Sequence, residues 1–461
     1  MPSSPHSFGA TAREKSASPK IYLDLTDVVT HAIWHSTSAG IPRVQLEIAA
    51  TLLRSGKNVV PFSLYNNTWR TLAPYFEQSN GNGDLLLRLF QESIPFRGVR
   101  PSLRRPIETA RLLRARFAAL TERLCSRTPA LTAESTVFVG GAFWISPPAM
   151  ALCKRAAAAG ANLVVLMHDL IPLIFPEFTG HDFSSQYREI LNLPAHFIVT
   201  TEHNRAVLKS VRKDLGIRGE TSVSVVPLAH EFPGAERNAP PALPTARLQS
   251  LQNLDFVLCV GTVEIRKNHA MLFSIWDELA AEPGIRLPPL VVAGRRGWKA
   301  DAALRRLDEF FESGHIVFVE APTDEELRWL YSASQFTIFP SLYEGWGLPV
   351  GESLWFGKPC AASDTSSIPQ VGGDLCAYFS PYHATTIKDA IRALLDPETR
   401  RTYSEKICRT PLRTWADVAS DLGNAIMRQQ PGSVATRDLR HAANSPQIDD
   451  VLPRTGLYAE I

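Results

Sequence analysis

At 461 residues the chain is too long for one core, and 45% hydrophobic against 20% charged residues describes an ordinary globular protein in two domains. A formal net charge of +2 excludes a global demand for nucleic acid or a membrane, so a basic partner surface has to be local. The six cysteines are scattered with no CxxC pair, which argues against a structural zinc site or a disulfide framework and fits a reducing compartment.

In chain order, residues 1–19 carry no apolar stretch and read as a flexible tail, not a signal peptide. A first domain is expected over 20–230. Its short β-branched runs predict strands at 21–25, 59–64, 136–140, 162–169, 196–200 and 223–227, with helices at 43–54, 147–159 and 202–214. Strands apolar on both faces, alternating with helices, imply a buried parallel sheet. The proline-rich stretch 231–250 reads as a linker. The same grammar restarts over 251–410, with strands at 256–261, 289–294, 315–319, 336–340, 358–363 and 377–379. Cys259 and Cys360 fall inside these apolar runs as small buried hydrophobes. A closing helix at 411–428 around Trp415 is expected to pack back on the first domain, and 429–461 reads as a second flexible tail. The architecture is therefore α/β, two Rossmann-like domains whose parallel sheets face each other across a cleft, where ligands of such folds bind. No run reaches membrane-spanning length, so the protein is expected in the cytoplasm or at the inner face of the plasma membrane.

The most informative stretch is FPSLYEGWGLPVGESLWFGKPCAASD, residues 339–364. It leaves a strand, turns through Glu344, Gly345, Trp346 and Gly347, and enters a helix near Pro349. Proline near a helix start loses no needed N–H. The glycines let backbone N–H groups approach a ligand, and a helix N-terminus favours negative charge. Glu352 lies about two turns beyond Glu344, on the side that can face the same cleft. Two carboxylates repel a phosphate but accept hydrogen bonds from vicinal diols. One turn thus offers donors for a diphosphate and acids for the sugars on either side of it; the competing reading is an exposed turn with two solvated acids.

That pattern, E-x-G/W-G-L-P with a second glutamate eight residues on, resembles glycosyltransferase family 4, whose members are retaining enzymes of the GT-B fold. The resemblance implies that Glu344 contacts the transferred sugar, that Glu352 binds ribose, and that backbone around Gly345, Gly347 and Leu348 approaches the donor. VGTVEIRKNHAMLF (260–273) is similar to the family's G-x-x-E-x-R-K-N pattern and makes Arg266 and Lys267 the diphosphate clamp. Asn268 behind them is read as the helix N-cap. Some relatives carry arginine where this chain has Thr262, so one phosphate contact is in question. VVAGRRGW resembles a G-K-x-G-W turn, which puts Arg295 near the nucleotide or in a solvated loop, and backbone at 319–321 would read the base. In the first domain, Gly40, ahead of Ile41 and Arg43, resembles a glycine loop facing the donor, or is only a turn. His168 and Asp169 resemble H-D-x-I-P, which sets His168 beside the sugar; a structural histidine is the alternative, and Asp169 orients His168 or its loop.

No GxGxxG, GxxxxGK[ST] or HExxH occurs, which weakens oxidoreductase, kinase and zinc-hydrolase readings. Neither a cofactor nor a metal is expected; the nucleotide-diphosphate sugar is a co-substrate. The resemblance, closest to mannosyl- and rhamnosyl-transferring branches, implies hexose transfer, mannose from GDP-mannose first, to a glycan or polyprenyl-diphosphate-linked acceptor in surface polysaccharide synthesis. A nucleotide-sugar 2-epimerase and a non-catalytic sugar-nucleotide-binding subunit are the alternatives. The arginine-rich segment 97–127 carries an apolar stripe and is either a solvated helix or a contact for anionic membrane.

Overall fold

The computed structural model describes residues 20–34, 40–65, 68–79, 83–93, 129–240, 243–309 and 315–427. The tails expected at 1–19 and 429–461 and the arginine-rich segment at 97–127 lie outside the described residues, except that Leu-rich 83–93 precedes the last of these as a helix.

The first sheet has seven strands: β1 Ile21–Asp24, β2 Val59–Tyr65, β3 Thr68–Thr71, β4 Thr136–Val139, β5 Asn162–Met167, β6 His196–Val199 and β7 Val223–Val225, in the order β3-β2-β1-β4-β5-β6-β7. The second has six: β8 Val257–Val260, β9 Leu290–Gly294, β10 Ile316–Glu320, β11 Phe336–Phe339, β12 Cys360–Ser363 and β13 Cys376–Phe379, in the order β10-β9-β8-β11-β12-β13. All pairings are parallel except β2 with β3. The parallel sheet expected from the sequence is present, with β3 added at its edge as a strand the sequence did not suggest. TWRT is short and polar at both ends, and its strand character comes from pairing Trp69 with Leu64 and stacking it on Phe62, 3.4 Å between ring centres.

Central strands such as NLVVLM are buried on both faces, as their continuous apolar character requires. Cys259 and Cys360 are buried among them. In each sheet the strand order reverses once, between β1 and β4 and between β8 and β11. Loops leaving two such neighbours diverge to opposite sides of the sheet and leave a crevice at its carboxyl edge.

One apolar cluster runs through both domains, joining Ile21, Val44 and Phe90 of the first to Trp346, Val350 and Ile368 of the second. Helix Trp415–Met427, at the far end of the chain, contributes Val418, Leu422 and Ile426 to the same cluster and packs on helix Ile41–Arg54. The crossing segment after β7 is pinned on the way: Glu231 accepts from the Trp415 backbone N–H at 2.8 Å and Phe232 is fully buried. Among the described residues, no helix is long and apolar enough to cross a membrane.

Candidate active site

β8 and β11 are hydrogen-bonded neighbours, Val257 opposite Phe336, so the loops after them leave the sheet side by side. A backbone bond from Leu342 N–H to Arg266 O, 2.8 Å, ties the two loops together. This is why residues far apart in sequence meet. Arg266 and Lys267 lie in a 3-10 turn, Ile265–Lys267, and both reach Glu344 at 2.6 Å, one to each carboxylate oxygen. Arg266 also pairs with Glu264 at 2.6 Å and donates to Tyr343 O at 2.8 Å. Lys267 Nζ stands 4.7 Å from the centre of the Phe339 ring. Burial pushes the Glu344 carboxyl up, but the charges of Arg266 and Lys267 and their hydrogen bonds outweigh it and hold it down at about 2. Glu344 is therefore an anion at any physiological pH.

Asn268 stands at the N-cap position that the sequence suggests, but its side chain does not cap the helix. Its backbone is left-handed at φ 58°, and its side-chain amide donates to Pro381 O at 3.0 Å instead of capping helix His269–Ala280. The left-handed turn swings the chain away from the Arg-Lys pair within one residue.

The turn after Glu344 is pressed against the first domain. A Cβ on Gly345 would collide with the carbonyl oxygen of His168 and stand 2.8 Å from the Asp169 Cβ. The Gly345 carbonyl accepts from Thr200 Oγ1 and Asn204 Nδ2, each at 2.6 Å. Asn204 Nδ2 also reaches the His168 carbonyl at 3.2 Å, and its Oδ1 accepts from Ser367 at 3.3 Å. Tyr343 and His203, 2.8 Å apart, extend this seam. On the other side, Glu344 N–H donates to Ser366 Oγ at 2.9 Å, from a residue held at φ 53°. Gly347, at φ 112°, opens helix Leu348–Trp355 in a conformation that favours glycine.

His168 is buried, and its Nε2 lies 2.8 Å from Gly140 O. A carbonyl only accepts, so Nε2 carries the proton and Nδ1 keeps the lone pair. Burial lowers the ring to about 4, so it is neutral and presents Nδ1 as an acceptor. Asp169 accepts from Ile171 N–H at 3.0 Å rather than from the imidazole. Its carboxyl is raised to about 6, by burial first, with Arg266 opposing.

Glu352 lies elsewhere. One oxygen takes the Arg43 guanidinium from the first domain at 2.8 Å, and the other takes the Tyr331 hydroxyl at 2.8 Å. The structure thus gathers Arg266, Lys267, Glu344, His168, Asp169 and Gly345 at one point, and sets Glu352 in the middle of the helix that follows, on partners of its own. Gly40 is exposed, with φ 58° and nothing within 4 Å of where its Cβ would stand. Thr262 packs its methyl against Gly297, and Arg295 accepts from Val263 N–H through its backbone at 2.8 Å, with burial lowering its guanidinium. The backbone at Ala321, φ 48°, donates to Gly294 O at 2.7 Å.

Sequence reading missed Asn204, Thr200, Ser366 and Tyr331. Thr200 follows the carboxyl end of β6 and Asn204 lies in the first turn of the next helix, where such folds keep ligand-facing groups, and that position was a usable signal. The left-handed Ser366 left none.

Three comparisons bear on this arrangement. Residues 246–409 match the family model described as glycosyl transferases group 1. Over 224 residues, 48% of this chain, the sequence is 30% identical to the O-antigen chain mannosyltransferase B of Escherichia coli. It is 25% identical over 270 residues to the serotype-specific mannosyltransferase WbdA of the same organism. The chain spans 52% of the first relative's length and 32% of the second's. Among solved structures, the sucrose-phosphate synthase of Thermosynechococcus elongatus superposes with a TM-score of 0.58 at 17% identity, over 89% of this chain and 98% of that one, a likeness of fold.

Proposed function

We propose, from the match of residues 246–409 to the glycosyl transferases group 1 model and the fold likeness to the sucrose-phosphate synthase, that the protein transfers a hexose from a nucleotide-diphosphate sugar to a glycan or lipid-linked glycan in surface polysaccharide synthesis. One observation carries the reading: at the switch point of the second sheet, two cations and an ionised glutamate meet against the His168–Asp169 end of β5.

In the proposed reaction the bond from the anomeric carbon to the donor's phosphate oxygen breaks, and the nucleoside diphosphate leaves with the electron pair. The acceptor oxygen bonds to the anomeric carbon on the same face, giving retention, and its proton passes to the leaving phosphate. Arg266 and Lys267 meet the charge that develops on the diphosphate, the step where fixed cations accelerate most. They do so without a metal ion, and a chelator is expected to leave the rate unchanged. Glu344, fixed as an anion, accepts hydrogen bonds from hydroxyls of the transferred sugar. His168 Nδ1 accepts another from the opposite wall. Glu352 takes the ribose diol.

Mannose from GDP-mannose is the donor to test first, given the mannosyltransferase names of the sequence relatives. The purified protein is incubated with GDP-mannose and a panel of other nucleotide sugars, with and without a mannan-type acceptor. Nucleoside diphosphate release and the anomeric configuration of the product are measured. Release that matches glycan formed, with retained configuration, is the expected result. Donor conversion without nucleotide release would replace this reading by an epimerase.

A further inference from the structure

Helix Ile41–Arg54 begins at the glycine turn, and its third residue, Arg43, points across the seam between the domains. Arg43 is 4% exposed. Its guanidinium bonds to Asp324 through one nitrogen and to Glu352 through another, 2.8 Å from Oε1. It lies over the Phe232 ring at 4.9 Å from the centre, a flat surface that sets its plane. Tyr331, which holds the other Glu352 oxygen, is itself locked by stacking on Phe356 with ring centres 5.4 Å apart.

Two buried acids therefore share one guanidinium, supplied by the other domain. Without it, Asp324 and Glu352 would be two buried carboxylates with no guanidinium between them, and an uncompensated buried charge is expensive. With it, each Glu352 oxygen has one donor and keeps a second acceptor position, and the carboxylate plane is fixed. That is the state in which a carboxylate can receive two neighbouring hydroxyls. We propose that Arg43 is a positioning residue for nucleotide binding: it holds Glu352 oriented and charge-compensated for the ribose diol, so the ribose site is complete only while the two domains are docked. The inference rests on the proposed nucleotide-sugar reading and adds to it the residue, and the domain contact, on which nucleotide affinity depends.

Binding of GDP, UDP and ADP is measured by calorimetry on the wild type, Arg43→Met, Arg43→Lys and the double variant Arg43→Met with Asp324→Asn; donor KM and kcat are measured alongside. For the nucleotide that the wild type binds, Arg43→Met is expected to raise Kd and donor KM by roughly 10- to 100-fold, the usual effect of losing the partner that orients a binding group. kcat is expected to stay within about threefold, because the bond-breaking end of the site is untouched. Removing the second acid in the double variant is expected to recover part of the lost affinity, and Arg43→Lys, one point charge in place of a fork, to fall between. A purely structural Arg43 gives a different result: fewer competent molecules, read as reduced stoichiometry and melting temperature, with Kd unchanged. An unchanged Kd in both single variants overturns the inference and leaves the proposed function standing. Should Arg43→Met not fold, Arg43→Lys decides the same question. A wild type that binds none of the three nucleotides sinks the proposed function, and this inference with it.

Discussion

Glu344 and Glu352 stand eight residues apart on one turn and helix, yet they are held in opposite ways. Glu344 takes both of its cations from its own domain, through a loop whose parent strand is the neighbour of β11. Glu352 takes its cation from the other domain, across a sequence separation of 309 residues. The first end of the motif is built when the second sheet forms. The second end is built only when the domains meet. On the proposed reaction the two acids do different work: a self-contained charge cluster suits the step in which charge develops, and a shared one suits a binding event that depends on the two domains being docked.

The largest test of that division is Glu344→Gln. It removes an anion that two cations surround, and kcat is expected to fall by about 100-fold or more in an acceptor-dependent nucleotide-release assay, with donor KM little changed. If the loss appears in KM alone, the distinction between the two acids fails. Glu344→Ala also takes the carboxylate away from Lys267 and leaves Arg266 with Glu264, and chemical denaturation is expected to show a stability loss of about 3 kcal/mol. The next effect concerns the seam. Asn204→Ala removes the amide that joins the Gly345 and His168 carbonyls, with an expected loss of about 1–3 kcal/mol by the same measurement. An unchanged unfolding curve would show that this amide contributes nothing to holding the domains together.

Histidine chemistry sharpens the comparison through pH. His168 is near 4 when folded against an ordinary 6.5, so as pH falls through 6.5 the unfolded chain takes up a proton that the folded chain refuses. The stability contributed by this neutral ring is present above pH 6.5 and lost on the way down to pH 4. His168→Gln, which keeps a donor for Gly140 O, is expected to lose less stability than the wild type between pH 7 and pH 4.5, by on the order of 2 kcal/mol. Curves that stay parallel across that interval would mean the ring is not buried neutral. The smallest effect is expected at Trp298, half-exposed, whose indole donates to Phe178 O at 2.9 Å across the seam; Trp298→Ala should cost about 1 kcal/mol or less.

How much of this could be read from the sequence follows the same division. Strands with continuous apolar runs, such as VLCV and LVVAG, announce themselves, and the E-x7-E turn identifies its own glycines and acids. The cluster at Glu344 was legible because a strand, a turn and an Arg-Lys pair stand at a distinctive spacing in the sequence. β3 was not, because a four-residue edge strand owes its form to Phe62 and Leu64 beside it rather than to its own propensity. Asn268 holds the N-cap position expected but spends its side chain elsewhere, because the residue type that caps helices also tolerates the left-handed turn found there. The partners of Glu352 were out of reach: nothing local in IPRV states which acid, three hundred residues later, a buried arginine will answer.

Helix Trp415–Met427 closes over helix Ile41–Arg54, and this has a consequence for how the protein is made. The apolar stripe of the earlier helix leaves the ribosome long before its cover does, so the first domain waits half-clad until the whole second domain has been synthesised. Biogenesis here is circular rather than sequential. Helix Trp415–Met427 completes the domain that was translated first.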